Sequence, residues 1–495
     1  MKERVQIRKK TSAYNPRKKL VLGEVLISFI VGLFVLFTNV ANGYEFLFCI
    51  PLLFGILLIL FYRMYFYLLY DYGIGFWSIN IVMFIRYTVT PLMVVLSNSY
   101  FGPGPNPTKD SMYLAAFMMA YEMIITFVMI RLAVQSCREH QRKSYNSKTS
   151  SYTILKPYFF VGLFAVFSVI VLIPYPELLF PQEMFFLSKE YTKVIIDVNL
   201  NGALYIISNA FKIVLLLFFL AWFKKMHDKR QSTIFVYLSG LAFLLLIGIN
   251  TGTSRWTILI WILIAIAILA ELYPQQGKLI KNTIIVLGFA SIISISMYKF
   301  SWAIIHAEKP VIQILSLMAT QFQDYFSGPR GVAQAIEMKE LFSSQISLIT
   351  LINDFIGSIP FISNYVDQSN RINVFFNLYN FRPFEEKSLI VPMVGCGYAY
   401  FGIILAPIFT ALCEYGAIKF DYAFKKECRV EFKIIYIYAS IWLSLCMGFN
   451  TQIIFGFFVR TFIPLWILFY CNKRFTLKKS PSLNNRQGII TLYER

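Results

Sequence analysis

Apolar runs of about 17 residues or more recur along this chain from one end to the other. No other feature restricts its fold so strongly. In a bilayer each backbone N–H and C=O must be satisfied within the segment, so runs of this length predict membrane-spanning helices. Composition agrees: 57% of residues are hydrophobic, 15% are charged, and Phe (49) and Tyr (31) are abundant. The mean hydropathy is +0.61. A soluble enzyme, a secreted disulfide scaffold and a disordered chain are excluded. The seven cysteines lie in or beside apolar runs or on the basic side, and no disulfide framework or metal-binding spacing is readable.

The expected fold class is all-α, a polytopic integral membrane protein with about twelve transmembrane helices. The apolar segments run over roughly 20–40, 44–62, 74–97, 111–131, 157–175, 201–223, 233–250, 256–273, 282–302, 392–417, 433–449 and 453–470. Residues 1–302 therefore hold nine spans with short loops, 303–391 one large extracytoplasmic loop, 392–470 three further spans, and 471–495 a basic tail. With both termini cytoplasmic, the inner loops and tails carry about 32 of the 46 Lys and Arg residues, and the outer ones about 10. That asymmetry accounts for most of the net charge of +20 without nucleic acid. The first apolar run lacks a small-residue cleavage site and reads as a retained helix. Within the large loop, residues 331–344 (GVAQAIEMKELFSS) have apolar positions at helical spacing, as in an amphipathic helix lying on the membrane surface.

Charges at membrane depth are costly and mark function by default. Arg86 and Glu122 fall halfway along consecutive antiparallel segments. They read either as an ion pair fixing helix register or as substrate contacts. Lys212 and Arg460 lie within spans with no evident acidic partner. The bias toward positive charge suits an anionic substrate better than a sodium or proton path. Thr251–Arg255 (TGTSR) opens the eighth span. Hydroxyl caps such as Ser254, the helix dipole and the Arg255 guanidinium together make a phosphate-binding corner. An ordinary tight turn with an interfacial Arg has the same sequence.

The large loop adds Arg330, Arg371, Arg382 and Lys387, with the acids Asp324, Glu337, Glu340, Asp354, Asp367, Glu385 and Glu386. Arginine clamps pyrophosphate bidentately, and a nearby acid can serve as general base. Arg330 and Arg382 are flanked by aromatics and turn residues (DYFSGPRG, LYNFRPFEE), which suit a sugar or an interfacial belt alike. His306 is the one histidine expected on the outer side. It reads as a candidate base or as an incidental interfacial residue.

With these residues in view, the chain resembles the Wzy-type oligosaccharide repeat-unit polymerases that build O-antigen, capsule and exopolysaccharide. Three segments carry the resemblance: Thr251–Arg255; Tyr325–Arg330 (YFSGPR); and Asn373–Gly402, which ends GYAYFG. Tyr400 stands where many members carry an acid just before the Phe-Gly pair. The resemblance implies glycosyl transfer from an undecaprenyl-pyrophosphate-linked glycan to a sugar hydroxyl of the next lipid-linked repeat. It implies the outer leaflet of a bacterial cytoplasmic membrane, no cofactor, no metal, and flippase and chain-length-regulating partners. Expected substrate contacts are Arg255, Ser254, Arg330, Arg382, Arg371 and Arg86, and the candidate bases are Asp324, Glu337 and His306. A flippase of lipid-linked oligosaccharide and a ligase-like glycan transferase are the alternatives. No repeat between the two halves is evident, which weighs against a duplicated transporter.

Overall fold

The computed structural model describes residues 2–71, 73–102, 104–143, 153–155, 158–175, 198–250, 255–277, 280, 282–283, 286, 310–360, 362–381 and 389–474. Every regular element among them is helical. In chain order these are α1 (Lys2–Phe37), α2 (Cys49–Leu60), α3 (Tyr62–Asp71), α4 (Ile74–Leu96), α5 (Lys109–Lys143) and α6 (Phe159–Leu172). Next come α7 (Val198–Arg230), α8 (Ile234–Asn250) and α9 (Arg255–Leu272), then α10 (Pro310–Tyr325), α11 (Pro329–Leu341), α12 (Leu348–Ile356) and α13 (Ile372–Asn380). The last are α14 (Met393–Phe401), α15 (Ile408–Lys426), α16 (Val430–Ser444) and α17 (Thr451–Arg474).

Five stretches among the described residues are long and apolar enough to cross a membrane: Lys18–Phe37, Ile74–Leu96, Lys109–Glu139, Gly202–Arg230 and Thr451–Arg474. Shorter apolar helices, including α2, α6 and most of α8 and α9, stand beside them. Their outward faces are apolar, as Leu26, Ile30, Phe167, Ile170 and Ile467 illustrate, all about half exposed or more. A surface of that kind suits lipid, not water. The ninth expected span, 282–302, lies almost wholly outside the described residues.

The centre of the bundle is formed by α4, α5, α15 and α16, with α1 and α2 packed on it. Beside it α6, α7, α8 and α9 form a second row, joined through α9 against α16 and α7 against α17. The expected continuous segment 392–417 is broken. Gly402 adopts φ +77°, ψ −173°, a conformation that L side chains avoid, and Pro407 precedes the restart at α15.

Two long helices each contain one π-helical turn, Ile85–Val89 in α4 and Phe458–Phe462 in α17. Each is followed closely by a proline, Pro91 and Pro464. A helix-interior proline lacks the N–H and crowds the carbonyl four residues back, and a widened turn relieves that conflict. The two turns carry Arg86 and Arg460, so the same device displays both mid-helix arginines.

Helices α10–α13 cap one end of the bundle. The 331–341 stretch belongs to α11, whose Val332, Ala333, Ala335, Ile336 and Met338 are buried against α5, α13 and α14. The helix with an outward apolar face is α12. Leu348, Ile349, Ile352 and Phe355 are exposed, while Thr350 and Asp354 turn inward.

Candidate functional site

A cavity of about 380 Å³ opens where the cap meets the bundle. Its walls come from α7 (Tyr205, Asn209), α9 (Thr257, Trp261), α16 (Tyr438, Trp442) and α17 (Gln452, Phe457, Arg460), and Ser358 and Arg371 close it from the cap. The aromatics form a connected platform. Trp261 and Tyr438 have ring centroids 5.0 Å apart, Tyr438 and Phe457 4.8 Å, and Trp442 stacks on Phe457 at 4.9 Å. The buried Trp442 Nε1 has no hydrogen-bond partner among the described residues.

Two guanidiniums face this platform. The π turn of α17 presents Arg460, whose Nε donates to the Ser358 carbonyl at 3.1 Å. No carboxylate pairs with Arg460 among the described residues. Arg371, at the N-cap of α13, donates through Nη1 to Gln368 Oε1 at 2.8 Å and through Nε to Asp354 Oδ1 at 3.4 Å.

Asp354 organises this side of the cavity. It is fully buried and accepts from Arg371, from the Tyr400 hydroxyl and from the Gln452 amide. Burial raises its carboxyl above the ordinary aspartate value, and the donors Tyr400, Gln452 and Arg371 pull in the opposite direction. Its helix is fixed by a capping box, in which Ser347 Oγ accepts from the Ile349 N–H and Thr350 Oγ1 accepts from the Ser347 N–H. Thr350 also donates to Asn370 Oδ1 at 2.8 Å, tying α12 to the turn that leads into Arg371. With its oxygens occupied, Asp354 positions Arg371 and Gln452 and does not itself reach the cavity.

Of the arginines expected from sequence, Arg371 lines the cavity. Arg330 does not. It is 2% exposed, donates to Asp324 Oδ1 at 3.0 Å, and packs where a Cβ on Gly102 would fall on the guanidinium. Burial raises the Asp324 carboxyl, against the pull of Arg330. Glu337 is also engaged elsewhere. It accepts from Thr108 N at 2.6 Å, from Thr108 Oγ1 at 2.9 Å and from the Tyr379 hydroxyl. Burial would raise Glu337, yet these donors hold it below the ordinary glutamate value. Together with Gln323 on the Ser99 carbonyl and Gln334 on that of Pro105, these contacts clamp the 98–108 segment to α10 and α11.

Arg86 lies within the bundle, its Nη2 2.7 Å from Glu122 Oε2, and both side chains are fully buried. Thr410 Oγ1 donates to the other Glu122 oxygen at 2.6 Å. Arg255 is the first residue of α9, and Thr257 two residues on lines the cavity. The Arg255 side chain, Thr251–Ser254, His306 and Arg382 lie outside the described residues.

The sequence alone did not single out Gln452, Trp261, Tyr438 or Trp442, which come from three separate stretches of an apolar background. It did flag Arg460, and Pro464 four residues later was the local sign that this arginine sits on a widened turn. Among the described residues no three His, Cys, Asp or Glu side chains come together as a metal site, and none of the seven cysteines forms a disulfide. In comparisons with known proteins, no family model, no curated protein and no solved structure matches this chain.

Proposed function

We propose that the chain polymerises undecaprenyl-pyrophosphate-linked oligosaccharide repeats into a surface polysaccharide at the outer leaflet of a bacterial cytoplasmic membrane. The observation that carries this reading is the pair Arg371 and Arg460 on an aromatic-walled cavity beneath the cap. Aromatic faces receive the apolar faces of sugar rings, and guanidiniums receive an anionic leaving group. Arg371 is among the arginines expected from sequence; the clamp proposed here pairs it with Arg460 in place of the buried Arg330, and Arg255 and Arg382, outside the described residues, keep their places as candidates.

In this reading a hydroxyl of the incoming repeat attacks the anomeric carbon of the growing glycan. The bond from that carbon to the carrier phosphate breaks, and undecaprenyl pyrophosphate leaves with the bonding electrons. Arg371 and Arg460 stabilise the charge that develops on it, the interaction that lowers the barrier. The acceptor proton passes to a base or to water. Asp324 and Glu337 are committed to the cap, and His306 retains its place as a candidate. Tyr400 occupies the position of an acid in many Wzy-type chains, and its hydroxyl ends on Asp354. A carboxylate is therefore supplied to the same region from α12.

The flippase alternative draws on the buried cations Lys212 and Arg86 midway along α7 and α4. Deleting the gene separates the two, with lipid-linked glycan sized and assigned to a leaflet. Single repeats accumulating on the outer face are expected; repeats trapped on the inner face would make the protein a flippase. A ligase-like transferase would leave full-length polymer on its lipid carrier. In the restored strain, Arg371→Ala and Arg460→Ala should each insert normally and slow polymerisation about 100-fold or more, the usual cost of removing one transition-state donor. Normal chain length in both variants would overturn the assignment.

A further inference from the structure

On α7, one turn beyond the cavity residue Asn209, Lys212 turns into a different space. It is 8% exposed and has no hydrogen-bond or ion-pair partner among the described residues. The space is an apolar groove of about 190 Å³ between α7 and α8, lined by Leu215, Leu216 and Phe219 on one side and Leu238, Leu241 and Leu245 on the other. Leu215, Phe219, Leu241 and Leu245 are each more than a third exposed, so the groove opens on the outside of the bundle. It continues along α7 to Phe223, eleven residues and about 16 Å past Lys212.

A lone ammonium deep in an apolar helix pair is expensive unless an anion joins it. The space around Lys212 offers such an anion nothing but hydrocarbon on one side and the polar cavity one turn away on the other. The groove holds about 190 Å³ over that length of about 16 Å, room for one hydrocarbon chain lying along it and not for two side by side. We infer that the α7–α8 groove binds the chain of a single-chain lipid phosphate, with the phosphate on Lys212 and whatever the phosphate carries directed into the arginine cavity. This rests on the function proposed above, in which the polyprenyl carrier is that lipid, its first phosphate lies on Lys212, and its second phosphate and glycan occupy the cavity with Arg371 and Arg460. Anionic two-chain phospholipid is the competing occupant.

The test uses the purified full chain in phosphatidylcholine nanodiscs and undecaprenyl monophosphate bearing a diazirine on one of the first isoprene units next to its phosphate. Photolabelling is expected on peptides within 215–246, with competition by unlabelled polyprenyl phosphate and little by phosphatidylglycerol. Lys212→Met should lower labelling about ten-fold or more, the equivalent of one charged contact, and Lys212→Arg should retain it. Leu241→Trp narrows the groove with the lysine intact and should also lower labelling, which covers the case of a poorly folded Lys212→Met. Labelling outside this groove, labelling indifferent to both variants, or equal competition by phosphatidylglycerol would each overturn the inference. The probe carries no sugar, so its binding is independent of polymerisation. Groove labelling as expected, with normal polymer from Arg371→Ala and Arg460→Ala, would leave the groove standing and remove the catalytic reading. Loss of polymer in those variants without groove labelling would do the reverse.

Discussion

Asp354 takes hydrogen bonds from Arg371, Tyr400 and Gln452, and two of these three donors also line the cavity. Asp354→Asn keeps the shape and removes the charge that holds Arg371. The rate of polymerisation should fall about ten-fold, the scale of one charge-assisted hydrogen bond. Because the group positions another, the loss should appear as weaker binding of lipid-linked substrate together with slower turnover, and the melting point should fall as well, since a buried amide now faces donors. A variant that is merely unstable would lose folded protein but bind substrate normally in the fraction that remains. Glu337 makes a different prediction. Its folded carboxyl titrates below the unfolded value near 4.5 because of the Tyr379 and Thr108 donors, which outweigh the burial that opposes them. Between those two values the unfolded state binds more protons, so the clamp stabilises the fold above about pH 4.5 and is lost as pH falls through the folded value. Melting in detergent at pH 3.5–7 should show that decline, and Glu337→Gln should flatten it. At this scale the sequence showed which residues carry charge, but not which were already spoken for. Arg330 and Arg371 look alike in sequence and each pairs with an aspartate; what separates them is the burial of Arg330 itself, close-packed on Gly102, and the open cavity beside Arg371.

The elements were more legible. Apolar length alone put spans at 74–97, 201–223, 256–273 and 453–470, and the helices Ile74–Leu96, Val198–Arg230, Arg255–Leu272 and Thr451–Arg474 each start within three residues of them. The break after α14 was missed because Gly402 and Pro407 sit inside an otherwise unbroken apolar run. Within α4, the π turn beside Pro91 aims Arg86 at Glu122 of α5, and Thr410 of α15 completes the contact, so three helices meet at one carboxylate. Pairs of this kind can hold register or handle substrate, and stability measurements distinguish the two. Glu122→Leu alone leaves a buried, unpaired guanidinium and should cost about 3–5 kcal/mol. Arg86→Met with Glu122→Leu should recover most of that loss, as measured by thermal or denaturant unfolding in detergent. A structural pair predicts normal polymer from the double variant. Loss of polymer from a well-folded double variant would place Arg86 in the substrate path.

Across the whole molecule, the cavity and the clusters of basic residues at the helix ends separate to opposite ends. From the cavity residue Tyr205, α7 runs to Lys224, Lys225, Lys229 and Arg230, and from Gln452 α17 runs to Lys473 and Arg474. From Trp442 at the cavity, α16 leads back to Arg429, beside Lys425 and Lys426 at the end of α15. Three helices thus carry their basic clusters away from the cap. Loop lengths and Lys/Arg counts had suggested that polarity, but only the packed helices tie it to a site, since Tyr205, Trp442 and Gln452 are remote in sequence. The positive-inside tendency predicts that the basic end faces the cytoplasm and the cap with its cavity faces outward. The prediction is direct. In a chain whose seven cysteines are replaced by serine, Ser344→Cys on the exposed edge of the cap should react with a membrane-impermeant maleimide in intact cells, and Lys229→Cys only after permeabilisation. The opposite pattern would put the arginine cavity on the cytoplasmic side. Soluble nucleotide sugars are available there, and polymerisation at the outer leaflet would be untenable.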